Sequence, residues 1–129
     1  MRVFRNPWDA IPAVLALLHF AVLIAFFLIW PQLSWPVRIL GGGLYAFSIG
    51  WSLDSIAHNF IHNPFFVSDR LNAAMSFVIS WTLGISQVMY THIHWRHHAG
   101  NSDRPNDKGE TVDPISVYRF GGEGKALRT

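Results

Sequence analysis

Two long stretches of this chain carry no charged side chain, residues 10–37 and residues 71–95. Ten basic and eight acidic residues are present, and eleven of these eighteen lie in residues 96–129. Between residues 10 and 95 only Arg38, Asp54, Asp69 and Arg70 are charged. An element of a water-soluble domain has a wet face and places charge along it. Charge-free runs of this length exclude an ordinary soluble globule. Composition points the same way, with 14% charged and 50% apolar residues, against about 25% charged in average soluble domains. Such an apolar chain is not a disordered one. A net charge of +2 is too small and too scattered for a nucleic-acid-binding stripe. Cysteine is absent, which removes disulfides and thiolate chemistry together. A bound metal would therefore be held by nitrogen or oxygen.

The fold class expected is all-α, a multi-pass membrane protein in one domain, 1–129. Its parts are a transmembrane helical hairpin, an interfacial or re-entrant helix and a polar C-terminal tail. The first span is placed at about 11–30, close to the ~20 apolar residues that cross a bilayer core. Trp8, Trp30 and Trp35 flank it as interfacial aromatics do. Arg2 and Arg5 before the run resemble a signal peptide. The run is too long for an h-region and no A-x-A pattern follows, so an uncleaved span is the better reading. PQLSWP then makes a short turn, and a second span runs over about 38–57. Gly43, Ala46, Gly50 and Ala57 recur at helical spacing, as small residues do where membrane helices approach closely.

The third apolar stretch, 71–90, is interrupted by Asn72, Ser76, Ser80, Thr82, Ser86 and Gln87. It fits a third span, or a helix lying in the interface or re-entering it. Asp69 and Arg70 before it read as a solvated turn. After Arg96 the chain turns rich in Pro, Gly, Asn and Asp, which marks an exposed loop.

Five of the seven histidines fall into two clusters, His58-x-x-x-His62 and His94-x-x-His97-His98. Residues three or four apart share one helix face about 5–6 Å apart at Cβ, so each cluster presents imidazoles together. Nitrogen ligation suits iron, zinc, copper or nickel and does not choose among them. The competing reading makes the histidines interfacial residues that contact lipid headgroups. Asp54 lies one turn before His58, and a carboxylate there is suited to accept a ring N–H from a metal-bound imidazole. His92 points off the face of its cluster, and it and Asn101 are further candidates for supporting the ligands from outside. His19 is alone in the first span and is expected to hydrogen-bond a neighbouring helix. Met75, Trp81 and Met89 are read as packing residues.

HNFIH at 58–62 and HWRHH at 94–98 resemble the first two histidine boxes of the membrane fatty acid desaturase family. The resemblance covers roughly residues 38–118. It implies a di-iron centre on the cytoplasmic face of a helical membrane protein, with His58, His62, His94, His97 and His98 as iron ligands. It implies O2 as co-substrate, a lipid acyl chain as substrate, and electrons from a ferredoxin or a cytochrome b5-type donor. The implied reaction is desaturation at an unactivated C–H bond. Both boxes must then share one membrane face, and 63–93 is too short for two crossings, so 71–90 is expected to stay at the interface. Arg70, Arg96, Arg104 and Lys108 would be cytoplasmic with Arg2 and Arg5, and Arg38 outside, as the positive-inside tendency requires.

The family carries a third box after the second, whereas no histidine follows His98 here. The expectation is an N-terminal part of such an enzyme, inactive alone. Two alternatives stand beside desaturation. One is a hydroxylase or ketolase of the same superfamily, acting on an alkane, carotenoid or sphingolipid. The other is a truncated, non-catalytic membrane protein that binds metal.

Overall fold

A computed structural model describes residues 2–100, and it is helical throughout apart from turns and one isolated β-bridge. The chain divides into two compact units, Met1–Gln87 and Val88–Thr129. The polar tail and Asn101 lie outside the described residues.

In the first unit a 3-10 turn, Pro7–Asp9, leads into α1, Ala10–Ile29. Asn6 opens that turn with a capping box. Its side chain accepts from the Trp8 N–H, and the Asp9 carboxylate accepts from the Asn6 N–H. The apolar stretch continues helically through a second 3-10 turn, Trp30–Gln32. Pro7–Gln32 is the one continuous helical stretch among the described residues long and apolar enough to cross a membrane. Ala13 and Ala16 are buried. His19, Leu23 and Phe26 continue their face at spacings of three and four, partly buried. Val14, Leu18, Val22, Phe27 and Leu28 are exposed on the remaining surface. A soluble helix would place polar residues there.

α2, Trp35–Ser52, follows with Pro36 in its first turn, where a missing N–H costs nothing. Leu40, Leu44 and Phe47 are exposed, Phe47 by 78%. Four glycines, two serines and Arg38 make α2 less apolar than α1. The small residues act differently from the spacing-based expectation. A Cβ built on Gly43 or Gly50 meets nothing within 4 Å, whereas one on Gly41 would stand 2.9 Å from the Phe26 ring. The close approach is made by an aromatic side chain of α1 lying on Gly41. It is not made by two backbones along the Gly43–Gly50 row.

α2 passes into a π-helical turn, Leu53–Ala57, and then α3, His58–His62. π-turns are rare and frequent at functional sites. The small core gathers here, around Ile56, Ala57, Phe60, Ile61 and Phe65, with Met75, Ile79 and Leu83 of α4, Asp69–Leu83. Met75 is thus a packing residue, while Trp81 and Met89 are exposed. Asp69 opens α4 and is exposed, favourably placed against the helix dipole.

The stretch expected as one helix over 71–90 is broken. Gly84 ends α4 in the left-handed region at φ 70°, a conformation glycine adopts without Cβ strain. Its N–H donates to the Ser80 carbonyl, closing the last turn. A new helix, α5, runs over Gln87–Gly100. The polar residues of the stretch serve these ends. Ser80 Oγ donates to the Ser76 carbonyl and accepts from the Gln87 N–H. Asn72 exchanges two hydrogen bonds with the Phe66 backbone. Thr82 Oγ1 bonds back to the Val78 carbonyl, and Tyr45 of α2 donates to the Thr82 carbonyl.

Candidate metal centre

α3 carries the first histidine pair. His58 is half-buried and His62 exposed, and their ring centroids lie 5.1 Å apart. One helical turn separates them, so both rings leave the same face. Two features hold this turn. Ahead of it, the Gln87 side chain, 1% exposed, donates through Nε2 to the Ala57 carbonyl at 3.0 Å. Ala57 ends the π-turn and directly precedes His58. Behind it, Asn63 donates its N–H to the Asn59 carbonyl and its Nδ2 to Asp9 Oδ1 at 2.9 Å.

Asp9, which sequence reading missed, is the acceptor that holds Asn63 after this turn. It is 5% exposed, and its second oxygen, Oδ2, accepts from the Asn6 N–H at 2.8 Å. The carboxylate therefore ties the start of α1 to the residue after His62. Around it the N-terminal segment pairs with residues 65–67. The Arg5 N–H donates to the Phe65 carbonyl, the Val67 N–H to the Val3 carbonyl, and Arg5 Nε to the Phe66 carbonyl. Phe4 stacks on Phe66 with centroids 5.1 Å apart. The only sequence signal for Asp9 was its place in the capping box. Its partner Asn63 is 54 residues away.

Asp54 sits in the π-turn, exposed, and makes no hydrogen bond to a histidine among the described residues.

α5 carries the second cluster. His94 is 7% exposed. Its Nε2 lies 2.9 Å from the Nε2 of His98, with the two rings edge to face. Two nitrogen ligands about 2.1 Å from one ion and about 90° apart would stand about 3.0 Å from each other. The pair's separation, that of an N–H···N hydrogen bond, is also close to that of two such ligands. Tyr90 packs edge-on against His94, and Trp95 lies 5.9 Å from His98, centroid to centroid. Both contacts restrict the rotation of the imidazoles. His97 is 6.3 Å from His94 by centroid. His92 is exposed.

Among the described residues, the candidate donor set comprises one pair in each unit, His58 with His62 and His94 with His98, the ligand atoms of each pair lying within 4.8 Å. His97 is not in that set. All four donors are nitrogen, which fits iron among other first-row metals.

His19 is outside this set. Its Nδ1 lies 2.7 Å from Ser52 Oγ and its Nε2 2.8 Å from Ser48 Oγ, so it bridges α1 to α2 as expected. A small cavity of about 10 Å³ adjoins it.

Comparison with known families gives one match. The sequence model of the fatty acid desaturase family fits residues 33–121. That range contains both histidine clusters and excludes Asp9 and α1. No curated protein and no solved structure matches the chain.

Proposed function

Since this chain belongs to the fatty acid desaturase family, we propose that it serves O2-dependent oxidation of a lipid acyl chain. His58, His62, His94, His97 and His98 would hold the iron of that centre. Bound iron would supply the O2-derived oxidising power needed to take hydrogen from a methylene, which no amino-acid side chain can do. The observation that carries the reading is the His94–His98 pair, two ring nitrogens 2.9 Å apart on one helix face.

The chain's own groups do the positioning. The buried His94 and the edge contact from Tyr90 keep one imidazole out of bulk water and in a fixed plane. Asp9, Asn63 and Gln87 fix both ends of the turn that presents His58 and His62. Fixed ligands spend less ordering entropy on binding.

We read α1 and α2 as a crossing hairpin with the histidines on the cytoplasmic face. The apolar residues exposed along both helices support this, as do Trp30 and Trp35 at the turn between them. Electrons would come from a ferredoxin or a cytochrome b5-type donor.

The test is iron content of the purified full chain after anaerobic loading with ferrous ion. Wild type should hold iron, and His58→Ala and His94→Ala should each lose it. Full iron content in either variant would overturn the ligand assignment.

A further inference from the structure

Arg38 is the one charged residue between Asp9 and Asp54. Its guanidinium carbon stands 5.8 Å from the Trp30 ring centre, and its Nη2 donates to the Pro31 carbonyl at 3.0 Å. Its Nε is enclosed with no acceptor. Among the described residues no carboxylate pairs with it. A cation partly withdrawn from water and lacking a counter-ion is costly, so a bound anion at this corner would be stabilised.

The surroundings narrow the anion's chemistry. Trp30 and Pro31 also wall a cleft of about 420 Å³, completed by Leu23, Phe26 and Phe27. Its lining residues belong to the last turns of α1 and the turn after it. Its wall is fixed, because Phe26 lies on Gly41 and packs at 5.0 Å against Trp30 and 6.1 Å against Tyr45, centroid to centroid. A free phosphate would compensate the cation and leave the cleft exposed. A neutral lipid would fill the cleft and leave the cation unpaired. An anionic amphiphile satisfies both.

We propose that the α1–α2 corner binds an anionic phospholipid, its phosphate on Arg38 and one acyl chain in the cleft. This site lies at the C-terminal end of α1, whereas Asp9 and Asn63 tie the N-terminal end to the first histidine pair. It does not depend on iron or on the proposed reaction.

Native mass spectrometry of the full chain, released from nanodiscs with equal phosphatidylglycerol and phosphatidylcholine, tests it. Wild type should retain phosphatidylglycerol preferentially. Arg38→Gln should lower that affinity about fivefold, the ratio equivalent to about 1 kcal/mol per basic side chain near an anionic surface. Its phosphatidylcholine binding should be unchanged, and Arg38→Lys should keep part of the preference. Inorganic phosphate should not displace the lipid. Equal retention of the two lipids by wild type overturns the proposal, as does an Arg38→Gln protein with wild-type preference. Displacement by inorganic phosphate would assign the corner to a bare anion and overturn the lipid assignment. Should Arg38→Gln fail to fold, the wild-type comparison decides alone.

Discussion

His19 and His94 are both imidazoles in a charge-poor chain, yet their surroundings put them to different uses. Each ring nitrogen of His19 faces a serine hydroxyl on α2. A hydroxyl donates or accepts as required, so the neutral ring is satisfied and its bonds join two helices. His94 Nε2 faces the Nε2 of another imidazole. Two neutral imidazole nitrogens can form that contact only if one of them carries the proton. A bound metal ion would take the place of that proton and accept both lone pairs. The residue type is the same, and the neighbouring groups make His19 a structural bridge and His94 a candidate ligand.

The largest expected effect tests that contrast at its strong end. His94→Ala should weaken Co2+ binding by the full chain more than about 100-fold, beyond the 10–100-fold typical of residues that only support ligands. A spectroscopic Co2+ titration measures it. A change of less than tenfold would place His94 with His19 as a structural histidine.

Asp9→Ala comes next. It removes the acceptor of two hydrogen bonds, including the one that holds Asn63 after His62. Bonds to a charged group contribute about 1.5–3 kcal/mol each, and a loosened pair should bind Co2+ about tenfold more weakly. Thermal unfolding in detergent, set beside the titration, separates the two effects. Lost stability with wild-type affinity would show that Asp9 supports the fold and not the site.

His19→Leu should cost about 0.6–1.7 kcal/mol, the range measured for hydrogen bonds between membrane helices. Its metal content should equal wild type. Lost metal content there would collapse the distinction between the two regions.

The last comparison concerns the contact between Phe26 of α1 and the glycines of α2, where the smallest effects are those at Gly43 and Gly50. Gly41→Ala should destabilise by about 1–3 kcal/mol, because the new methyl meets the Phe26 ring. Gly43→Ala and Gly50→Ala should be neutral, or stabilising by about 0.5–1 kcal/mol, since each lies in open space within a helix. Similar losses at all three positions would restore the small-residue stripe as the packing surface.

Local features of the site were legible in the sequence. Spacing of four placed His58 with His62 and His94 with His98 on single helix faces, and the structure keeps both pairs close. The solitary His19 in an apolar run was readable as a bridge, since an unsatisfied imidazole there is costly. Features that depend on distant chain were not readable. Asp9 is informative only once Asn63 stands beside it. The glycines of α2 looked alike in sequence, and the position of Phe26 singles out Gly41. The break at Gly84 had a signal, a glycine before Ile85 and Ser86. The continuous apolar pattern on both sides outweighed it. The π-turn at Leu53–Ala57 had none, because its residues suit an ordinary helix equally well.

The central claim is that both histidine segments supply ligands to one centre. X-ray absorption at the metal edge of the metal-loaded full chain tests it most directly, because imidazole rings scatter with a recognisable outer-shell pattern. The account predicts strong imidazole scattering that falls in His58→Ala and in His94→Ala alike. Scattering from oxygen ligands alone, or an imidazole signal unchanged by His58→Ala, would contradict it.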